Sequence, residues 1–164
     1  MTPSVTSILV QQDGTAVGVL GPLVIATTEG PRSFRPDTTR RAVDQIARLR
    51  RTTHQAKLIY VYVAAEGANV PDQESRRIAA EITALVDEAV GIHEGEGFRA
   101  SVVRAIVTSI SLLQSRRASI MRHSVVESAE AASALLHSRF PELGDVHDIL
   151  DAIEAVRGAA RATL

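Results

Sequence analysis

The sequence predicts one α/β domain, with a single mixed, mostly parallel sheet, an N-terminal antiparallel meander and helices packed on the sheet. Three observations predict this fold class. Short β-branched runs fill the first 28 residues, apolar strands then alternate with amphipathic segments, and no repeat or linker divides the chain. The chain has 164 residues, of which 45% are hydrophobic. A chain of this size can bury a core without disulfides or metals.

Composition excludes several classes of protein. Cysteine is absent, which rules out a disulfide framework, a thiolate nucleophile and a Cys-based metal site. The net charge of −1 provides no general attraction to nucleic acid or to an anionic membrane. No signal-peptide pattern opens the chain, and no uncharged apolar run approaches the roughly 20 residues that span a bilayer. We therefore expect a soluble, cytoplasmic protein that inserts into no membrane and binds no nucleic acid and no cofactor.

The N-terminal third predicts three short strands. The run from Val5 to Gln11 is mostly apolar and β-branched, and Asp13-Gly14 after it is a strong hairpin signal. Thr15 to Leu20 forms the returning strand. The turn residues Gly21-Pro22 then separate it from a third apolar run, Leu23 to Thr28. These strands form the antiparallel meander, and a loop over residues 29–36 follows it.

Strands and helices alternate through the rest of the chain. The predicted elements are a helix capped by Asp37, a strand over Leu58 to Ala65, a helix from about Pro71, a strand over Val90 to Glu94, a helix over Phe98 to Gln114, a strand over Ser119 to Val126 and a helix over Ser128 to Phe140. We divide the chain into an α/β domain over residues 1–141 and a C-terminal amphipathic helix over residues 142–164. This helix docks on the domain or at a dimer interface, and we expect it to weaken at Gly158 and its tail to fray.

A glycine-rich turn after the strand that ends at Glu94 is the one candidate ligand site. Gly95 and Gly97 could direct backbone N–H groups at an anion, and Arg99 could add a bidentate contact. The turn lacks a third glycine and a lysine, and Glu94 and Glu96 would repel a phosphate. The other interpretation is a tight turn whose glycines adopt conformations that other residues avoid.

The same segment contains metal-ligating residue types but predicts no metal site. His93 and Glu94 are neighbours on a strand, so their side chains point to opposite faces of the sheet. No helical His-Glu-x-x-His pattern occurs. His123, on the next predicted strand, could approach His93, but the spacing does not require it.

The predicted helix from Phe98 to Gln114 is apolar around most of its circumference. A narrow polar strip follows Ser101, Arg104, Thr108 and Ser111. Such a helix is covered on two sides, one of them by the sheet. The C-terminal helix or a second subunit could cover the other side. The candidate interface residues are Val103, Ile106, Val107 and Ile110.

Charge is distributed in two opposed blocks near the C-terminus. Residues 98–126 contain five arginines and no acid, whereas residues 127–154 contain seven acids against Arg139 alone. The two blocks could neutralise each other within the fold, or they could mark a partner surface. Few aromatic side chains are available to stack on bases, which argues against nucleic acid.

No arrangement of side chains indicates catalysis. Serine, histidine and aspartate all occur, but none lies in a Gly-x-Ser-x-Gly elbow or another pattern typical of a triad. We therefore expect that the protein is not an enzyme. An enzyme with a pocket at the carboxyl ends of the strands remains a third hypothesis.

Three local patterns, together with the element order, carry a resemblance to a known family. They are the apolar strand that runs into Gly67 to Ser75, the Gly-Glu-Gly-Phe-Arg turn at residues 95–99, and the late strand that leads to residues 126–131. In these features the chain resembles the STAS superfamily of sulfate transporters and anti-sigma-factor antagonists, especially its SEC14-related bacterial branch. The likeness covers roughly residues 7–136 and is mostly topological.

The resemblance implies a function without catalysis. Domains of this family bind partner proteins, nucleotides or hydrophobic ligands, and some are switched by phosphorylation of a loop that carries an Asp-Ser-Ser-Gly-type motif. That motif is absent here, where Ser75 is the only hydroxyl of residues 68–75, and its absence argues against a kinase-controlled anti-sigma role. We therefore expect a regulatory or scaffolding domain that acts through protein–protein contact, including contact with itself. The alternative is a small-ligand or anion-binding module that uses the Gly95–Arg99 turn.

Overall fold

A computed structural model describes residues 6–52, 57–95 and 121–164 of the chain. These residues form a six-stranded sheet whose strand order follows the sequence. The strands are β1 (Ser7–Gln12), β2 (Thr15–Leu20), β3 (Leu23–Thr28), β4 (Ile59–Ala64), β5 (Glu88–His93) and β6 (Arg122–Val126). β1 to β3 pair antiparallel, and β3 to β6 pair parallel. The predicted fold class, including its antiparallel N-terminal meander, is confirmed.

Four α-helices in the described residues pack on this sheet. They are α1 (Pro36–Thr52), α2 (Gln73–Ala80), α3 (Ala129–Arg139) and α4 (Val146–Arg161), with short 3-10 helices at Glu81–Ala84 and Pro141–Leu143. The helix predicted over Phe98 to Gln114 lies outside the described residues. None of the helices in the described part of the chain combines the length and apolar character that a bilayer span requires.

The first hairpin forms at the turn that the sequence predicts. Asp13 and Gly14 both have positive φ angles, 48° and 77°, as the tight turn between right-twisted strands requires. Thr15 pairs with Gln12 directly after the turn. The local turn chemistry therefore sets the register of the meander.

Among the helices of the described residues, each face of the sheet carries one pair. Val24 and Ala26 of β3 face α1 and α2, whereas Leu23 and Ile25 of the same strand face α3 and α4. This alternation follows from the two-residue period of a strand. The C-terminal helix α4 lies across β1, β2 and β3. Its apolar residues are buried against the face of the sheet that carries Leu23 and Ile25.

Two local predictions about helix ends are wrong. Asp37 is not the cap of α1, because the helix begins one residue earlier at Pro36 and the carbonyl of Arg35 accepts the first helical hydrogen bond from Thr39. The C-terminal tail is also held rather than frayed, since α4 continues past Gly158 and the N–H of Gly14 donates to the Thr163 hydroxyl at 2.9 Å.

Candidate functional site

The carboxyl end of the parallel strands is the usual ligand-binding edge of an open α/β sheet. In this chain the same dipeptide, Glu-Gly, follows three of the four parallel strands. It occurs after β3, β4 and β5 at residues 29–30, 66–67 and 94–95. The repeated dipeptide is visible in the sequence, but only the strand order shows that its three copies lie on neighbouring strands.

Arg157 of α4 reaches into this edge and pairs with two of the three glutamates. Its Nη1 and Nη2 lie 2.5 and 2.7 Å from the two carboxylate oxygens of Glu94, and its Nε lies 2.9 Å from Glu29 Oε1. The side chains of Arg157 and Glu29 are 7% and 8% exposed. A bidentate, charge-assisted pair of this kind is among the stronger hydrogen-bonded contacts in proteins.

The surroundings of Arg157 keep it charged. Burial alone would lower the pKa of Arg157, but hydrogen bonds to Glu94 and Glu29 outweigh burial and raise that pKa above its usual value. Glu154 lies 3.5 Å away and Arg161 lies 3.4 Å from the second oxygen of Glu29, so the cluster extends to the surface. Within this cluster two arginines face three glutamates.

The position of Arg157 in the sequence is itself a signal that its side chain is buried. Arg157 follows Ile153 by four residues and precedes Ala160 by three, which places it on the apolar face of α4. A charged side chain on a buried helix face requires a partner. The partner could not be named from sequence, because Glu29 lies 128 residues away along the chain.

A second cluster lies on the opposite face of the sheet, over β4, β5 and β6. The hydroxyl of Tyr62 is 3.0 Å from Nε2 of His93 and 3.1 Å from Nε2 of His123. Tyr62 pairs in register with Gly91 of β5, and a methyl group on Gly91 would overlap the tyrosine hydroxyl. The absence of a side chain at Gly91 is therefore what lets the Tyr62 ring cross β5.

The protonation of this cluster follows from its burial. Burial raises the pKa of Tyr62 far above its usual value and neighbouring Tyr60 adds to the effect, so the phenol keeps its proton. Burial lowers the pKa of His123. A phenol has one proton, so Tyr62 donates to one imidazole and accepts from the other. The cluster joins three strands through a hydrogen-bonded bridge, in which the phenol is not a phenolate nucleophile.

In the structure His93 and Glu94 point to opposite faces of the sheet, and His93 and His123 both contact Tyr62. His93 bonds Tyr62 on the α1–α2 face, while Glu94 bonds Arg157 on the α4 face, as the alternation along a strand predicts. The possible approach of His123 to His93 is realised through Tyr62, a bridge that the sequence did not reveal. Within the described ranges, no three His, Asp or Glu side chains are grouped as a metal site requires.

Only part of the predicted ligand turn can be described. Gly95 has a φ of 93°, and a side chain there would press on the Glu66 side chain, so the position requires glycine. Gly97 and Arg99 lie outside the described residues. The interface candidates Val103, Ile106, Val107 and Ile110 lie outside them as well.

Ser75 lies in the first turn of α2, where the sequence places it. Its backbone N–H donates to the Asp72 carboxylate at 2.7 Å, which makes Asp72 the cap of the helix. Hydrogen bonds from Ser75 accordingly lower the pKa of Asp72. The Ser75 side chain is fully buried. A kinase could reach this hydroxyl only if the start of α2 opened.

The chain matches no protein-family model, and a search of curated proteins found no relative. The resemblance to the STAS superfamily therefore remains a prediction from the sequence. Any statement of function depends on the residues themselves.

Proposed function

We propose that this chain is a non-catalytic regulatory or scaffolding domain that acts through protein–protein contact and self-associates. One observation carries the proposal. The strand end where an open α/β sheet takes a small ligand is occupied by the chain's own Arg157, held by Glu29 and Glu94. An inward, fully paired arginine at this position favours a role for the outer surface over a role for a pocket.

The same edge is unfavourable for a small anion. Glu94 precedes Gly95 directly, and the side chain of Glu66 packs against the position where a Gly95 side chain would stand. The Glu66 carboxylate beside the turn would repel a phosphate on its backbone N–H groups, whereas the charge of Glu94 is balanced by Arg157. This charge argues against the alternative of an anion-binding module at Gly95–Arg99.

Light scattering of the full chain tests self-association. We expect a mass above that of the 17.6 kDa monomer at micromolar concentration. Ile106→Glu and Ile110→Glu should weaken association if the predicted apolar helix contributes the contact. Ser111→Glu, on the predicted polar strip of the same segment, is the matched control. A monomer at every concentration would contradict the proposal.

Thermal unfolding with inorganic phosphate and with nucleotides tests the competing function. A ligand at about 100 times its dissociation constant stabilises a protein by about 2.7 kcal/mol, which is easily measured. We expect no change in melting temperature. A rise that Arg99→Ala removes would favour the ligand-binding module over the contact function.

A further inference from the structure

The helical layer formed by α3 and α4 directs two of its three arginines toward the sheet. Arg139 of α3 bonds Glu88 at the start of β5 and Ser124 of β6. Arg157 of α4 bonds Glu94, directly after the end of β5. Both guanidinium groups are therefore neutralised by the sheet and contribute little charge to the outer surface of the layer.

The acids of this layer lie outside. Arg161 is the one exposed arginine of residues 127–164. The exposed acids of the same residues are Glu127, Glu130, Glu142, Asp145, Asp151 and Glu154. Among the described residues, the outer side of α3 and α4, called the acidic surface below, therefore exposes more acids than bases.

Helix α1, on the opposite face of the sheet, has the opposite charge. It contains five arginines against Asp37 and Asp44. Arg41, Arg48 and Arg51 are exposed and form no ion pair with any residue that the structure describes. These three residues are called the arginine stripe below.

The helix dipole accounts for only part of this distribution. It favours acids at a helix start, as at the Asp145 cap and Asp148 in the first turn of α4, and bases in a last turn, as at Arg51, and its effect fades within one turn. Arg41 lies nearer the start of α1, and Asp151 lies beyond the first turn of α4. The dipole therefore does not explain the positions of Arg41 and Asp151.

The two surfaces cannot meet within one molecule, because the sheet separates them. A second copy can bring them together, and the net charge of −1 means that two copies do not repel each other strongly at long range. We propose that the acidic surface of one copy docks on the arginine stripe of a second copy. This inference rests on the proposed self-association and adds its geometry, a heterologous contact that continues from copy to copy or closes into a ring.

The salt dependence of association provides the first test. The Debye length is about 30 Å at about 0.01 M salt and about 3 Å at about 1 M. Light scattering of the full chain should show association at low salt that weakens strongly at high salt. Association that does not depend on salt would overturn this inference and leave the proposed function in place. A monomer at every salt concentration would overturn both.

Reciprocal charge reversal provides the second test. Arg48→Glu with Arg51→Glu makes the stripe acidic, and Glu142→Lys with Asp151→Lys leaves four exposed acids against three exposed bases in residues 127–164. Each double variant should associate about tenfold more weakly or worse, because the first brings like charges together and the second removes most of the attraction. An equimolar mixture of the two double variants should associate again.

The mixture also separates charge from misfolding, since an unfolded variant could not restore association. Arg32→Glu with Arg122→Glu is the matched control. Both arginines are exposed and both lie outside the stripe. The control changes the net charge by the same amount as Arg48→Glu with Arg51→Glu. We expect this control to associate as the unaltered chain does. Failure of the mixture to associate, or equal loss in the control, would overturn the inference.

Discussion

Gly91 shows how one missing side chain can organise three strands. The Tyr62 ring crosses β5 at this glycine and brings its hydroxyl between two imidazoles. Any larger residue would have to displace the ring and break the bridge. At this position the space above the strand matters more than strand propensity.

We predict that Gly91→Ala lowers the free energy of unfolding by about 1–3 kcal/mol, the usual cost of overpacking a core. Urea unfolding measures this change in the free energy of unfolding. Gly158→Ala is the control, because a methyl group there meets nothing within 4 Å and the position is helical. That change should stabilise the protein by about 0.5–1 kcal/mol. Equal effects at the two positions would contradict this account.

Arg157 provides a second prediction at the scale of one residue. Arg157→Met removes the partner of the buried Glu29 and should cost about 3–5 kcal/mol in unfolding free energy. Arg161 also contacts Glu29, but its side chain is 49% exposed, so Arg161→Met should cost less than about 1 kcal/mol. Equilibrium denaturation of the two variants side by side decides the matter. A loss at Arg157 no larger than that at Arg161 would show that the pair contributes little.

Among the elements, α3 begins at a serine cap, Ser128, which is the first residue of the helix predicted from the sequence. Ser128 is extended, and its hydroxyl accepts a hydrogen bond from the N–H of Ala131. We predict that Ser128→Ala destabilises the protein by about 1 kcal/mol, whereas Ser128→Asp keeps the cap. Ser138→Ala, at an exposed position in the same helix, is the control for loss of a hydroxyl. Thermal or urea unfolding would contradict the cap if all three variants matched the unaltered chain.

The second helix illustrates what apolar spacing leaves undetermined. The pattern through Ile78 and Ile82 predicts one continuous helix, but α2 ends at Ala80 and a 3-10 turn carries Ile82. The Thr83 hydroxyl donates to the Ala80 carbonyl at 2.8 Å, and the N–H of Leu85 bonds the carbonyl of Ile82. Both arrangements bury Ile82, so apolar spacing does not distinguish them.

For the whole molecule, burial of His123 predicts the direction of a pH effect. Burial lowers the pKa of His123 from its usual 6.5, so the unfolded chain takes up a proton more readily than the folded chain. The contribution of His123 to stability is therefore fully present above about pH 6.5 and is lost as the pH falls below it. The urea midpoint should drop between about pH 8 and about pH 5.

Two variants test whether His123 causes this pH effect. His123→Gln should flatten the dependence, whereas His147→Gln, at an exposed position, should leave it unchanged. A midpoint that stays constant or rises as the pH falls would contradict the role of His123.

Features that depend on neighbouring residues could be predicted from the chain without its fold. The Asp13-Gly14 turn, the period of each strand and the Ser128 cap are set by local conformational preference, and the resulting meander and alternating elements predicted the fold class correctly. The tertiary structure alone decided which distant side chains meet. Arg157 finds Glu29 and Tyr62 finds His123 because strand order and helix placement bring them together, and residue spacing does not encode either. The separation of acidic and basic surfaces follows from the same cause, since the face of the sheet that a helix covers is a property of the whole fold.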